Sequence, residues 1–229
     1  MQRLKVIGLA LVAVLAITAV ASATASAAKP EFVFTGTEKG FTGKQVGEGF
    51  LETTGGTQVK CTAGTSSGEI EGASGSNKVT KTVVTFTGCT SSGFECHSPG
   101  QASGVIQTKE LKGQLGYISS PEKTVGLDLE PKEGEFFVEF TCLGFLTSKV
   151  KGQVIGKLTP VNKEVKTTEH FTLTYKQTKG VQELTELEIE GVKDTGDILK
   201  SSLNGNPEEQ SGEQSTQELT PKTTVTISA

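Results

Sequence analysis

The chain of 229 residues is poor in the side chains on which most catalytic sites depend. It has no tryptophan, two histidines and one methionine, which is the initiator. No Gly-x-Ser-x-Gly segment marks a nucleophilic serine, and no Gly-Lys-Ser/Thr loop is present to hold a phosphate. The three aspartates, Asp128, Asp194 and Asp197, are too dispersed for a calcium loop. The sequence therefore predicts no cofactor and no bound metal.

Positive charge is also scarce. The chain carries 22 basic and 26 acidic residues, a net charge of −4, and has no basic cluster. Only two tyrosines and no tryptophan are available for stacking on bases. A nucleic-acid surface needs both a cationic patch and stacking groups, so we expect no nucleic-acid partner.

The N-terminus resembles an export signal. Arg3 and Lys5 precede an apolar run from Val6 to Val20, and residues 21–28 are Ala, Ser and Thr. Ala25-Ser26-Ala27 offers small side chains for signal peptidase, so we predict cleavage after Ala27. The apolar run is shorter than the roughly 20 residues of a membrane-spanning helix, which argues against an uncleaved anchor. The mature chain is then expected to be secreted, outside the membrane, with a net charge of about −6.

The rest of the sequence is typical of β structure. It contains 28 glycines and 11 phenylalanines, and apolar and polar residues alternate along many short segments. Phe50 to Thr54 and Thr57 to Cys61 flank Gly55-Gly56, which predicts a hairpin. Residues 28–229 are therefore predicted to form a single all-β domain, an antiparallel sandwich or partly closed barrel of about ten or more strands.

Residue parity within these segments predicts the core. The predicted inward-facing residues are Val59, Val84, Phe86, Val125, Leu127, Phe136, Val138, Phe140, Phe171, Leu173 and Ile189.

The last part of the chain is less regular. Asp197 to Leu203 is the one helix candidate, with Asp197 as N-cap and Gly205 as stop. Residues 204–217, rich in Glu, Gln, Ser and Asn, are predicted to form a mobile polar loop. Thr223 to Ser228 is then expected to return as a closing strand.

Four cysteines, Cys61, Cys89, Cys96 and Cys142, form an even set in a chain expected to be exported, which favours two disulfides over free thiols. Zinc is the alternative, but Cys89-x6-Cys96-His97 lacks the spacing of a zinc site. Because parity places Cys61 and Cys142 in the core and Cys89 and Cys96 bracket a short polar loop, we predict the pairs Cys89–Cys96 and Cys61–Cys142. The serial pairing, Cys61–Cys89 and Cys96–Cys142, remains an open alternative.

The remaining candidates for chemistry are weak. His97 lies in a Ser- and Gly-rich segment and His170 precedes a core residue, so both are expected to face solvent. Glu69 with Glu71, and Glu186 with Glu188 and Glu190, share strand faces. Such spacing suits a paired-carboxylate hydrolase, but it also describes an ordinary solvated face, which we favour.

Several segments together resemble a group of exported actinobacterial proteins of unassigned function. They are residues 55–62 (GGTQVKCT), 84–89 (VTFTGC), 111–118 (LKGQLGYI) with 125–127 (VGL), and 154–163 (VIGKLTPVNK). The resemblance spans most of the mature chain. It implies an exported bacterial protein and carries over no activity, ligand or site residue.

These observations favour an exported, non-enzymatic binding or structural protein of the bacterial cell envelope or extracellular space, with a cell-wall or extracellular component as partner. The sequence assigns it no catalytic residue. The alternative is a secreted carbohydrate-active hydrolase that uses glutamate carboxylates. A third possibility is a secreted inhibitor or toxin-like effector that presents the loop from Cys89 to Cys96.

Overall fold

The computed structural model describes residues 29–229, so the predicted signal and its cleavage site lie outside the described residues. Every regular element in this range is a β-strand, which confirms the all-β antiparallel prediction. In chain order the strands are β1 Glu31–Phe34, β2 Gly40–Gln45, β3 Gly49–Thr53, β4 Gln58–Cys61, β5 Ala63–Ile70, β6 Lys78–Thr87, β7 Thr90–Ser91, β8 Phe94–His97, β9 Val105–Gln107, β10 Leu111–Ser119, β11 Thr124–Pro131, β12 Phe136–Cys142, β13 Leu146–Lys151, β14 Val154–Thr159, β15 Glu164–Val165, β16 Phe171–Tyr175, β17 Gln177–Thr178, β18 Val181–Gln182, β19 Leu187–Ile189, β20 Val192–Asp194, β21 Lys200–Leu203, β22 Glu209–Pro221 and β23 Val225–Ser228.

Eight strands close into an antiparallel barrel in the order β2, β5, β6, β10, β11, β14, β16 and β22, with β22 pairing back to β2. The alternation predicted from sequence produces the inner wall. On β11, for example, Val125, Leu127 and Leu129 are buried. Closure pairs every strand on both sides and leaves no exposed sheet edge.

A second closed ring of strands adjoins this barrel. Its order is β22, β3, β4, β7, β8, β12, β13 and β21, and β21 pairs back to β22. The 13-residue β22 belongs to both rings. Its first half pairs with β3 and β21, and its second half pairs with β16 and β2. The interiors of the two rings therefore meet along β22.

Two smaller units cover the barrel. The sheet of β1, β23 and β15 contributes the buried Phe32, Val225 and Ile227 to the main core. The hairpin of β19 and β20 lies against the outside of β10 and β11, where Leu187 packs over Gly126. A Cβ atom at Gly126 would lie 2.8 Å from Leu187 Cδ2, so a larger residue there would force the Leu187 side chain to shift.

The predicted core is confirmed at nine positions and corrected at two. Val59, Val84, Val125, Leu127, Val138, Phe140, Phe171 and Leu173 are buried. Phe86 is half-buried and packs against the core. Phe136 is only half-buried because the register shifts between Phe136 and Val138, which turns Phe137 inward as well. Ile189 is half-buried because its strand lies on the outside of the barrel.

The predicted helix is wrong. Lys200 to Leu203 form β21, which pairs with β13 and β22. A helix of barely two turns has little stability of its own, so the ladder that closes the second ring decides the conformation.

The predicted mobile loop is also wrong from Glu209 onward, where β22 begins. Its polar composition suggested a loop, but small polar side chains on its inner face are buried and hydrogen-bonded. Ser201 Oγ donates to Ser211 Oγ over 2.9 Å, and Ser66 Oγ donates to Gln217 Oε1 over 3.1 Å. A buried polar group is tolerated when it has such a partner. The predicted closing strand is β23, which pairs with β1 and β15.

The disulfides join Cys61 to Cys89 and Cys96 to Cys142, so the predicted pairing is wrong and the serial alternative is present. Cys89 and Cys96 are neighbours, since Cys96 N–H donates to the Cys89 carbonyl. The Cys89 sulfur bonds to Cys61 on β4, on one side of the β7–β8 hairpin, and the Cys96 sulfur bonds to Cys142 on β12, on the other side. Cys142 lies directly across from Cys96, and Lys60 pairs with Thr90 next to the other bridge. Strand order, which parity cannot provide, decides the pairing.

We predict that non-reducing peptide mapping of the mature protein recovers this serial connectivity. Trypsin separates Cys61 from Cys89 at Lys78 and Lys81, and a glutamate-specific protease then separates Cys89 from Cys96 after Glu95. The expected products are one peptide pair containing Cys61 and Cys89 and another containing Cys96 and Cys142. A pair containing Cys61 and Cys142 would contradict the structure.

Candidate binding face

One end of the second ring gathers several turns. The β3–β4 and β7–β8 hairpins turn side by side, because Lys60 pairs with Thr90. The β12–β13 turn follows next to them, since Cys142 pairs with Cys96. The β21–β22 turn completes the cluster, with Asn204 Oδ1 accepting a hydrogen bond from Thr147 N–H. We call this end of the ring the loop face.

Three large apolar side chains of the loop face are exposed. Phe145 is 68% exposed, Phe94 50% and Leu143 39%. The pairing of β8 with β12 places Phe94 beside the turn that carries Leu143 and Phe145. Apolar side chains exposed singly are ordinary on protein surfaces, but these three lie on adjoining turns of one face, which makes this face a candidate interaction site.

The turn that presents Leu143 is conformationally unfavourable. Leu143 has a φ of 56° and Gly144 a φ of 76°, and Phe145 N–H donates to the Cys142 carbonyl. Asn or Gly normally occupies a position with positive φ, and leucine there costs of order 1–3 kcal/mol. The Leu143 side chain is 39% exposed, so it is only partly buried against the fold.

A polar groove of about 530 Å³ lies between the β3–β4 and β7–β8 turns. Gly, Ser and Thr form most of its lining. Gln58 is also part of the lining, and Lys60 is its charged residue. Ser91 Oγ donates to the Gln58 carbonyl over 2.8 Å and ties the two hairpins together. No aromatic side chain lines the groove, so the exposed phenylalanines stand beside it.

Both disulfides lie directly beneath the loop face. Cys89 and Cys96 are completely buried, and Cys61 and Cys142 nearly so. The bridges fasten the short strands β7 and β8, which have two and four residues, to their neighbours. A covalent frame of this kind holds the turns in a fixed arrangement.

The glutamates considered in the sequence analysis lie on the exterior. Glu69 pairs with Lys81 at 2.9 Å and Glu186 with Lys193 at 2.8 Å. Glu190 pairs with Lys29 at 3.1 Å. These groups are solvated ion pairs: Glu69 lies on β5, whereas Glu186 and Glu190 flank β19.

The histidines differ from each other. His170 is exposed as predicted, and its Nε2 lies 3.3 Å from Glu218 Oε1. His97 is half-buried on β8, opposite Thr141, rather than fully exposed. His97 belongs to the second ring, whereas His170 immediately precedes β16 of the barrel.

Sequence reasoning missed a buried carboxyl on the outside of the barrel. Asp128 is only 7% exposed, and its Oδ1 has no hydrogen-bond partner in the part of the chain that the structure describes. Burial raises the pKa of Asp128 to about 7, with further contributions from Glu130 and Asp194. Residue parity on β11 correctly predicts that Asp128 points away from the barrel interior, but it does not predict that the side chain is buried there.

Within residues 29–229, no three His, Cys, Asp or Glu side chains converge in a way that would hold a metal ion. The same residues include no helix long and apolar enough to cross a membrane.

No protein-family model matches this chain, and no curated protein or solved structure matches it significantly. The resemblance to exported actinobacterial proteins therefore stays a prediction.

Proposed function

We propose that the mature chain is an exported, non-enzymatic binding protein of the cell envelope or extracellular space, and that it binds a protein partner through the loop face. The observation that carries this proposal is the exposed group of Phe94, Leu143 and Phe145. It lies above two disulfides, which are consistent with an oxidising compartment.

The composition of the loop face suits a protein partner. Central parts of protein interfaces are enriched in aromatic residues and depleted of charge. Rigid aromatic side chains among Ser and Gly also supply contact area at low entropic cost. A saccharide would instead favour an aromatic platform inside a cleft, and the groove beside the patch lacks one.

We expect replacement of both phenylalanines to weaken capture of the partner strongly. Two aromatic contacts at the centre of an interface contribute at least about 1 kcal/mol each, so F94S/F145S should weaken binding by roughly thirtyfold or more. The oxidised mature protein is immobilised and exposed to envelope extract and culture supernatant, and the retained proteins are quantified by mass spectrometry.

Val192→Ser is the matched control. Val192 is 69% exposed, almost the same as Phe145, but lies on the outer hairpin of the barrel. The control should retain the same proteins as the wild type. The proposal is rejected if F94S/F145S, shown to be folded by circular dichroism, retains them equally well, or if the wild type retains no protein specifically.

A further inference from the structure

The interior of the second ring contains a cavity of about 60 Å³. Its wall is almost entirely apolar and includes Leu51, Val59, Phe140, Val150 and Leu199. A water molecule needs roughly 10–15 Å³ of such space, so the cavity exceeds the size of one water. An apolar void of this size in a folded core costs stability, which calls for an explanation.

A glutamate lies where the interiors of the two rings meet. Glu213 lines the cavity of the second ring and also a cavity of about 30 Å³ inside the eight-stranded barrel. It shares inward parity on β22 with Ser211, Ser215 and Gln217, all of which are buried. Its position on the common strand β22 makes it the polar contact shared by both cavities.

One carboxyl oxygen of Glu213 accepts a hydrogen bond, and the other accepts none from the described residues. Ser215 Oγ donates to Oε1 over 2.6 Å, and Gln182 Oε1 accepts from the Glu213 main-chain N–H over 2.8 Å. Oε2 has no hydrogen-bond partner among the described residues, and it keeps some accessible surface. Glu213 is half-buried and lines the cavity.

This environment is unfavourable for a charged carboxylate. Burial raises the pKa of Glu213, partly offset by the Ser215 hydrogen bond. A carboxyl that lines an apolar cavity and has one oxygen without a partner can meet a polar group that enters the cavity.

We propose that the cavity at the ring junction binds a slender aliphatic molecule with one hydroxyl head, which hydrogen-bonds to Glu213 Oε2. A hydroxyl donates a hydrogen bond to a carboxylate oxygen, whereas an ether oxygen has no proton to donate. The apolar wall accommodates the hydrocarbon tail. The next cavities along the barrel share Phe41, Leu127 and Leu219 and form an apolar continuation.

The test titrates the full mature protein with 1-hexanol and with 1-methoxypentane, an ether of similar length that cannot donate a hydrogen bond. Binding is followed by methyl NMR shifts of Val150 and Leu199. We expect saturable shifts with 1-hexanol and roughly tenfold or more weaker binding of the ether, because a site built around a hydrogen bond rejects an analogue that lacks it.

Glu213→Leu should reduce 1-hexanol affinity toward that of the ether, and F94S/F145S should leave it unchanged, since this site does not depend on the loop face. The absence of saturable shifts in the cavity methyls of the wild type would overturn the proposal. Equal binding of alcohol and ether by the wild type would do the same, and it would assign Glu213 a purely structural role without requiring the variant to fold.

Discussion

Replacement of Asp128 by Asn is expected to remove about 2–3 kcal/mol of pH dependence from the free energy of unfolding between pH 5 and pH 8. The pKa of Asp128 is raised to about 7, first because burial disfavours the charged form and then because Glu130 and Asp194 lie near it. Lys112 and the Leu129 N–H act in the opposite direction but do not restore the ordinary value.

The sign of the effect follows from the difference between the two states. In the unfolded chain the pKa of an aspartate is about 4, so the folded state binds the proton more tightly. The stabilisation by protonated Asp128 is present below pH 4 and is lost as the pH rises through about 7. Wild-type stability should therefore fall over this range, and D128N, which is neutral throughout, should not show this part of the fall.

The measurement is urea denaturation at pH 5, 6.5 and 8 for the wild type, D128N and D197N. Asp197 is exposed, so D197N is the matched control and should keep the wild-type slope. At pH 8 D128N should be more stable than the wild type. Equal pH slopes for the wild type and D128N would show that Asp128 is not desolvated in the folded protein.

Alternation along each strand predicted much of the fold because it depends on local chemistry. Val125, Leu127 and Leu129 are buried as their parity requires, and Gly55-Gly56 lies in the turn of the predicted hairpin. The failures occur where distant segments decide the outcome. β22 has the composition of a loop, and only partners such as Ser66 and Ser201 make its burial possible.

The candidate sites were harder to predict for the same reason. Phe94 and Phe145 have no distinctive local pattern, and their exposure depends on which strands surround them. Glu213 lies within the segment predicted to be a mobile loop, and Asp128 lies near Asp194 of a hairpin about 60 residues later in the chain. One local signal is present in the sequence. Leu143 precedes Gly144 in a tight turn, at a position where Asn is ordinarily favoured.

Truncation of Phe140 to Ala should destabilise the protein by about 3–5 kcal/mol, because it removes a buried aromatic ring and enlarges an existing void. Phe140 is 3% exposed and lines the cavity of the second ring. The strands around Phe140 are short, and disulfides fasten two of them. They therefore cannot easily move inward to fill the enlarged cavity.

Phe145→Ala provides the matched control, because it makes the same chemical change five residues later on a side chain that is 68% exposed. We expect this control to change the free energy of unfolding by less than about 0.5 kcal/mol. Urea denaturation of the oxidised proteins compares the two variants. If both variants lose similar stability, the loop face is part of the core rather than a surface for a partner. If neither variant loses stability, the core inside the second ring of strands relaxes to fill the space of the lost Phe140 side chain. The rigid cavity proposed to bind an aliphatic alcohol then does not exist.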